Sequence, residues 1–197
     1  YRPRTLAINN LEFDHADIFD DLAAIQRQFH HLVRCVPADG LIIHPQGVPA
    51  IDQTLAKGCW TPTSSFGIDN PQAQWQAQLI EEDGSVFSVG CTGAEPVQVK
   101  WAYVGRHNVE NALVAMAAAR HVGVAPEVAA QAVASFKGVK RRLELLGEVA
   151  GVSVYDDFAH HPTAIATTLE GLHAKGGKGR LIAVIEPRSN TMRMGEH

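Results

Sequence analysis

Apolar positions recur along this chain at two alternating periods. Leu6–Ile8 is a short apolar run that opens into a polar stretch, residues 9–17. From Asp20 onward Leu22, Ile25, Phe29, Leu32, Val33 and Val36 return at three- and four-residue intervals, the spacing of one helix face. Asp20 and Asp21 stand where a helix start favours negative charge, and Pro37-Ala38-Asp39-Gly40 stops the run. Leu41–Ile43 predicts a short buried strand, and Ile51–Lys57 a short helix closed by Gly58. Between 59 and 104 the period shortens. Gln76–Ile80, Val86–Val89 and Val97–Val104 read as strands, with Asp83-Gly84 as a hairpin signal and 92–95 as a second turn. This segment is expected to be a local insertion or a sheet edge. Helices return at Asn108–His121, ended by Gly123, and at Pro126–Phe136, where proline suits the first turn. Glu144–Val149 and Val152–Tyr155 read as strands about Ala150-Gly151, and Pro162–Lys175 as a helix. Leu181–Ile185 has the unbroken apolar character of a parallel strand buried on both faces.

Strands alternating with helices predict an α/β fold. The last strand–helix–strand, 152–186, reads as a βαβ unit with a right-handed crossover. Residues 137–142, Lys-Gly-Val-Lys-Arg-Arg, are the expected hinge. The 197 residues suffice for one domain, or for one and part of another. With 46% hydrophobic and 19% charged residues, disorder and fibres are excluded. A net charge of −4 offers no footprint for nucleic acid or an anionic membrane. No apolar run approaches the roughly 20 residues that span a bilayer. Cys35, Cys59 and Cys91 form no metal or disulfide framework, so reduced thiols and a cytoplasmic location are expected. The chain starts without Met beside an apparent strand and stops just after another. Both ends read as cut, and a longer parent is expected.

Several clusters could carry chemistry. Asp156, Asp157, His160 and His161 follow a strand and precede a helix, the place where open α/β sheets bind ligands. They could instead cap the helix begun by Pro162. Asn108 and Asn111, three apart at a helix start, put two amides on one face, which suits a purine edge as well as it suits simple capping. His15, flanked by the carboxylates of Asp14 and Asp17, could hold a divalent ion or belong to a solvated loop. His30 and His31 point about 100° apart on a helix and read as structural. Arg141-Arg142 could clamp phosphate through bidentate hydrogen bonds. Residues 186–193, Glu-Pro-Arg-Ser-Asn-Thr-Met-Arg, offer cations, hydroxyls and an amide at another strand end. There is no GxxxxGK[ST] and no GxGxxG loop. Such a chain is either no nucleotide enzyme or lacks its front part.

Four ordered stretches, 9–17 (NNLEFDHAD), 105–113 (GRHNVENAL), 136–144 (FKGVKRRLE) and 156–163 (DDFAHHPT), resemble the Mur ligases, the ATP-dependent amide-bond-forming enzymes of peptidoglycan metabolism. The resemblance runs over essentially the whole chain. It implies that 1–140 is the later part of a central ATP-binding domain, a mixed sheet with helices and a β-rich segment. Residues 141–197 would begin a Rossmann-like C-terminal ligase domain. It implies ATP and Mg2+, with His15 on magnesium, His107, Asn108 and Asn111 on the adenine, Arg142 at the phosphates and ribose, and Asp157 on the ribose hydroxyls. His160, Arg188, Ser189, Asn190 and Thr191 would face the reacting ends, Arg142 and His160 being catalytic. The 186–195 segment resembles family members that add a preformed murein tripeptide to UDP-N-acetylmuramate in recycling. Members that add L-alanine carry arginines where Ser189 and Met192 stand. That second acceptor, a non-catalytic nucleotide-binding module and a metal hydrolase built on Asp156, Asp157, His160 and His161 are the alternatives. No lysine precedes Lys57, so the carbamoylated lysine of several family members has no counterpart here. The phosphate loop and sugar-nucleotide domain would lie before Tyr1, and the chain alone is expected to be inactive as a ligase.

Overall fold

The computed structural model describes residues 2–176 and 179–186, with Met192 and Gly195. The chain runs β1 (Thr5–Ala7), α1 (Leu22–Val33), β2 (Leu41–Pro45), α2 (Pro49–Ala56), β3 (Thr63–Ile68), β4 (Trp75–Leu79), β5 (Val86–Cys91) and β6 (Val97–Lys100). It continues through α3 (Arg106–His121), α4 (Pro126–Ser135), β7 (Glu144–Val149), β8 (Val152–Asp156) and α5 (Pro162–Gly176). The first six strands form one sheet in chain order. β1 to β4 pair in parallel, and β4, β5 and β6 pair antiparallel.

This sheet is buried on both faces because successive strand residues point to opposite sides. Ile42 and Ile43 of β2 are both fully buried, yet Ile42 packs with Ile25, Val33 and Ile51 of α1 and α2. Ile43 packs instead with Phe66, Phe87, Leu113 and Met116 beneath α3 and α4. Asp21 caps α1, its carboxylate accepting the Ala24 N–H at 2.6 Å. α3 starts differently, at Gly105 with φ 93°, and its N–H donates to Asp83 O at 2.7 Å. The two glycine-supported turns at 83–84 and 105 therefore fix where α3 begins.

Two expectations need correction. Residues 59–104 are no insertion: β3 lies inside the sheet between β2 and β4, and only β4–β6 make the antiparallel edge. β3 carries no apolar run to announce it. Ser64 and Ser65 are buried there, and Ser65 is satisfied internally, its N–H donating to Gln74 Oε1 at 3.0 Å and its Oγ accepting the Gln74 N–H at 3.3 Å. The second correction is Leu181–Ile185, which forms no strand and leaves Val184 96% exposed. β8 pairs with β7 alone, antiparallel, so the expected βαβ crossover is absent among the described residues. An apolar run becomes a strand only where a sheet edge accepts it.

α5 lies against the first turn of α3 through two glycines. Gly171 is the buried residue of α5, and a Cβ there would stand 2.9 Å from Gly105 Cα. Alanine in a helix is ordinarily worth about 1 kcal/mol over glycine, whereas overpacking costs about 1–3 kcal/mol. Gly171→Ala should therefore lower stability in urea unfolding despite its better propensity. A gain in stability would show that the two backbones do not meet.

Candidate functional site

α3, α4, the linker 136–143 and the turn after β8 enclose a cavity of about 700 Å³. That is the size of a small-molecule site. Its walls are mostly apolar: Ala112 and Ala115 from α3, Ala132 and Val133 from α4, Phe136 and Val139 from the linker, and Ala164 from α5. One side is aromatic. Trp101 and Tyr103 meet edge-on at 5.4 Å, and Tyr103 meets Phe136 at 6.0 Å. Trp101 is anchored by its indole N–H on Gly84 O at 2.9 Å. Burial pushes the Tyr103 hydroxyl above its ordinary pKa, so it is neutral.

Into this slot the fold brings His107, Asn108, Asn111, Arg142 and Asp157 together. Asn108 donates its amide N–H to Val104 O at 2.7 Å, and so offers a ligand its oxygen. Asn111 accepts from Asn9 Nδ2 at 2.9 Å and so presents its own NH2. The Asp157 carboxylate accepts the Leu143 N–H at 2.8 Å and the Ala159 N–H at 2.7 Å. A carboxylate has about four acceptor positions, so two remain. The Arg142 guanidinium lies over the Phe158 ring at 5.7 Å and makes no ion pair with the described residues.

His107 is the unusual member. Its Nδ1 is buried and has no hydrogen-bond partner, the one such side-chain atom among the described residues. A buried orphan of this kind asks for a ligand or a water. Burial lowers the imidazole pKa, with Asp157 opposing and Arg142 reinforcing the shift. The ring is therefore neutral near pH 7.

The linker that closes the cavity is conformationally unusual. Gly138 has φ 83°, and any side chain there would overlap the Tyr103 hydroxyl. Arg141 and Leu143 adopt φ of 60° and 49° without being glycine. Each is tied down through its N–H, Arg141 to Glu144 Oε2 at 2.9 Å and Leu143 to Asp157. The Arg141 side chain also pairs with Asp156 at 3.1 Å.

The 9–17 stretch docks beside this site. Thr163 Oγ1 donates to Glu12 Oε2 at 2.7 Å, and the His161 ring donates to Phe13 O at 3.4 Å. Neither His15 nor His160 lines the cavity. His15 (φ 56°) has Asp14 beside it, and no group of three metal-ligating side chains gathers among the described residues. The exposed His160 donates from Nδ1 to Phe158 O at 3.0 Å. Arg188, Ser189, Asn190 and Thr191 lie outside the described residues. His30 is structural as expected, facing Gly58 O at 3.1 Å. Sequence reasoning missed the aromatic wall. Trp101 and Tyr103 fell inside an expected strand that ends at Lys100, and their i, i+2 spacing was the available signal.

The fold and the site define an α/β protein with a six-stranded mixed sheet, a separate two-stranded hairpin and a cavity lined from both sides of the linker. Comparison with known proteins makes this specific. The Mur ligase middle domain matches residues 1–119, and the Mur ligase, glutamate ligase domain matches residues 141–195. The chain belongs to the Mur ligase family. It is 59% identical over 196 residues to the UDP-N-acetylmuramate--L-alanyl-gamma-D-glutamyl-meso-2,6-diaminoheptandioate ligase of Escherichia coli (strain K12), covering 99% of this chain and 42% of that one. It is 34% identical over 191 residues to the UDP-N-acetylmuramate--L-alanine ligase of Desulfitobacterium hafniense (strain Y51), covering 96% and 42%. The crystal structure of a murein peptide ligase from Psychrobacter arcticus 273-4 superposes with a TM-score of 0.73 at 51% identity, covering all of this chain and 40% of that one. The chain thus spans about 42% of the length of the curated relatives it matches. No helix among the described residues is long and apolar enough to cross a membrane.

The lowered His107 pKa sets a pH window. The unfolded imidazole takes a proton near 6.5 and the folded one resists until lower pH, so stability falls as pH drops below about 6.5. In urea unfolding at pH 7.5 and 5.0, His107→Gln should lose less stability than the parent. Equal losses would place His107 in a solvated setting.

Proposed function

We propose that this chain is the nucleotide-binding portion of an ATP-dependent ligase. The whole enzyme would join UDP-N-acetylmuramate to the tripeptide L-alanyl-γ-D-glutamyl-meso-diaminopimelate in peptidoglycan recycling, in the cytoplasm. The observation that carries this is the single cavity shared by His107, Asn108, Asn111, Arg142 and Asp157. Its chemistry fits ATP. The apolar and aromatic walls suit a purine ring. The two amides and the orphaned His107 Nδ1 suit its polar edge, the spare acceptors of Asp157 suit ribose hydroxyls, and Arg142 suits phosphate. Magnesium fits less well. His15 with Asp14 is an incomplete set, so His15 would be one ligand of an ion otherwise held by phosphate or by residues outside this group. No step is derived from it.

In the proposed reaction the muramoyl carboxylate attacks the γ-phosphorus of ATP and ADP leaves. The tripeptide amine then displaces phosphate from the acyl phosphate. Catalysis of this kind is mostly positioning and charge stabilisation. This chain would contribute the base and ribose contacts and one arginine. The phosphate-cradling motif is not in its sequence. His160, with Arg188, Ser189, Asn190 and Thr191, is proposed to face the acceptor. The division into parts is proposed at 140/141, within the strained linker. The second reading, addition of L-alanine, is favoured by the relative of that name, at lower identity.

Calorimetry should find ADP binding to the 197-residue chain, weakened about tenfold by Asn111→Ala through loss of a hydrogen-bonding group. Acceptor choice is testable by grafting this chain in place of the matching segment of the Escherichia coli relative. ADP release with tripeptide and not with L-alanine is expected, and none from the 197 residues alone. Turnover with L-alanine would overturn the acceptor assignment, and absence of ADP binding the nucleotide assignment.

A further inference from the structure

A second cavity, of about 480 Å³, lies against the linker; it shares Tyr103, Gly138, Val139, Arg142 and Leu143 with the first and is otherwise lined by residues of its own. Lys137, Lys140 and Arg142 line it from the linker, Lys175 from the last turn of α5, and Tyr155 from β8. Its one acidic lining residue is Glu144, whose Oε2 already accepts the Arg141 N–H. None of the three lysines makes an ion pair or a side-chain hydrogen bond with the described residues. Four cations around one concavity repel one another, and a bound anion of several charges relieves that repulsion. The cations come from two separate elements, the linker and α5, so an anion with several linked charged groups can meet both.

We propose that this second cavity binds a small polyanion carrying two or three linked phosphate groups. Lys137 and Lys140 hold one end, Lys175 holds the other, and the Tyr155 hydroxyl can donate to an oxygen between them. Such a ligand bridges the linker to α5 and ties the two parts together. Arg142 lines both cavities, and its guanidinium serves one ligand at a time. Occupancy here therefore opposes nucleotide binding in the first cavity, and linkage requires the reverse effect to be equal. That antagonism rests on the nucleotide reading above, whereas the anion site stands on its own lining.

The test is calorimetric titration of inorganic tripolyphosphate into the 197-residue chain at low ionic strength, with circular dichroism to check each variant's fold. Saturable binding is expected, weakened about tenfold by Lys140→Ala and by Lys175→Ala as charge-assisted contacts are lost. Asn111→Ala, in the first cavity, and Lys57→Ala, remote from both, should leave it unchanged. Tripolyphosphate and ADP should weaken each other's binding by one common factor. No saturable binding at millimolar concentration overturns the site. Saturable binding indifferent to Lys140→Ala and Lys175→Ala puts the anion elsewhere and overturns it. Equal loss in Lys57→Ala reduces it to unspecific charge attraction and overturns it too. Tripolyphosphate binding with the expected lysine dependence, but no ADP binding, supports the site while the nucleotide reading fails.

Discussion

Asp157 sits at the end of β8 and holds the linker with one oxygen and its own turn with the other. Around that carboxylate the chain changes direction twice, once at Leu143 on its way into β7 and again at Ala159 on its way into α5. Two non-glycine residues of the linker, Arg141 and Leu143, are left-handed. Such conformations cost on the order of 1–3 kcal/mol each. Hydrogen bonds to a charged group are worth about 1.5–3 kcal/mol, so the Leu143–Asp157 and Arg141–Glu144 bonds are of the size needed to offset the strain. The cavity wall formed by Val139, Arg142 and Leu143 exists because the linker is held this way.

A second constraint works from the opposite side. Gly105 and Gly171 let α5 approach the start of α3 at backbone distance, and Gly138 lets the linker cross the Tyr103 hydroxyl. These glycines have no chemistry to offer a ligand, yet they set the width of the slot between α3 and the turn after β8. His107 is enclosed by the same packing, its ring standing against Gly105. An orphaned imidazole nitrogen, two half-used amides and a half-used carboxylate thus face one apolar space. Unspent polar capacity facing an apolar cavity is available to a ligand.

Most of the fold could be read from the chain because most of its elements announce themselves by period. α1, α3 and β5 are carried by apolar spacing, and α4 and α5 begin at prolines. β3 is illegible because it buries serines, Ser65 exchanging hydrogen bonds with Gln74, where a hydrophobic pattern would have announced a strand. Leu181–Ile185 misled for the converse reason, having the composition of a core strand without a sheet edge beside it. For the site, the polar residues were legible as motifs on strand ends and a helix start. That Asn9, Asn111, Glu12 and Thr163 would join three distant stretches into one place was not, because hydrogen bonds across 100 or more residues leave no local trace. The aromatic wall was legible only in part, in the i, i+2 spacing of Trp101 and Tyr103, because Phe136 joins it from a helix exit more than thirty residues on.

The most direct test of this account is a 1H–15N correlation spectrum of the chain titrated with ADP. Shifts should concentrate at His107, Asn111, Phe136, Val139, Arg142 and the 157–159 turn, with His107 Nδ1 gaining the signature of a hydrogen bond. Shifts confined to the exposed hairpin β7–β8, or none at saturating nucleotide, would contradict it.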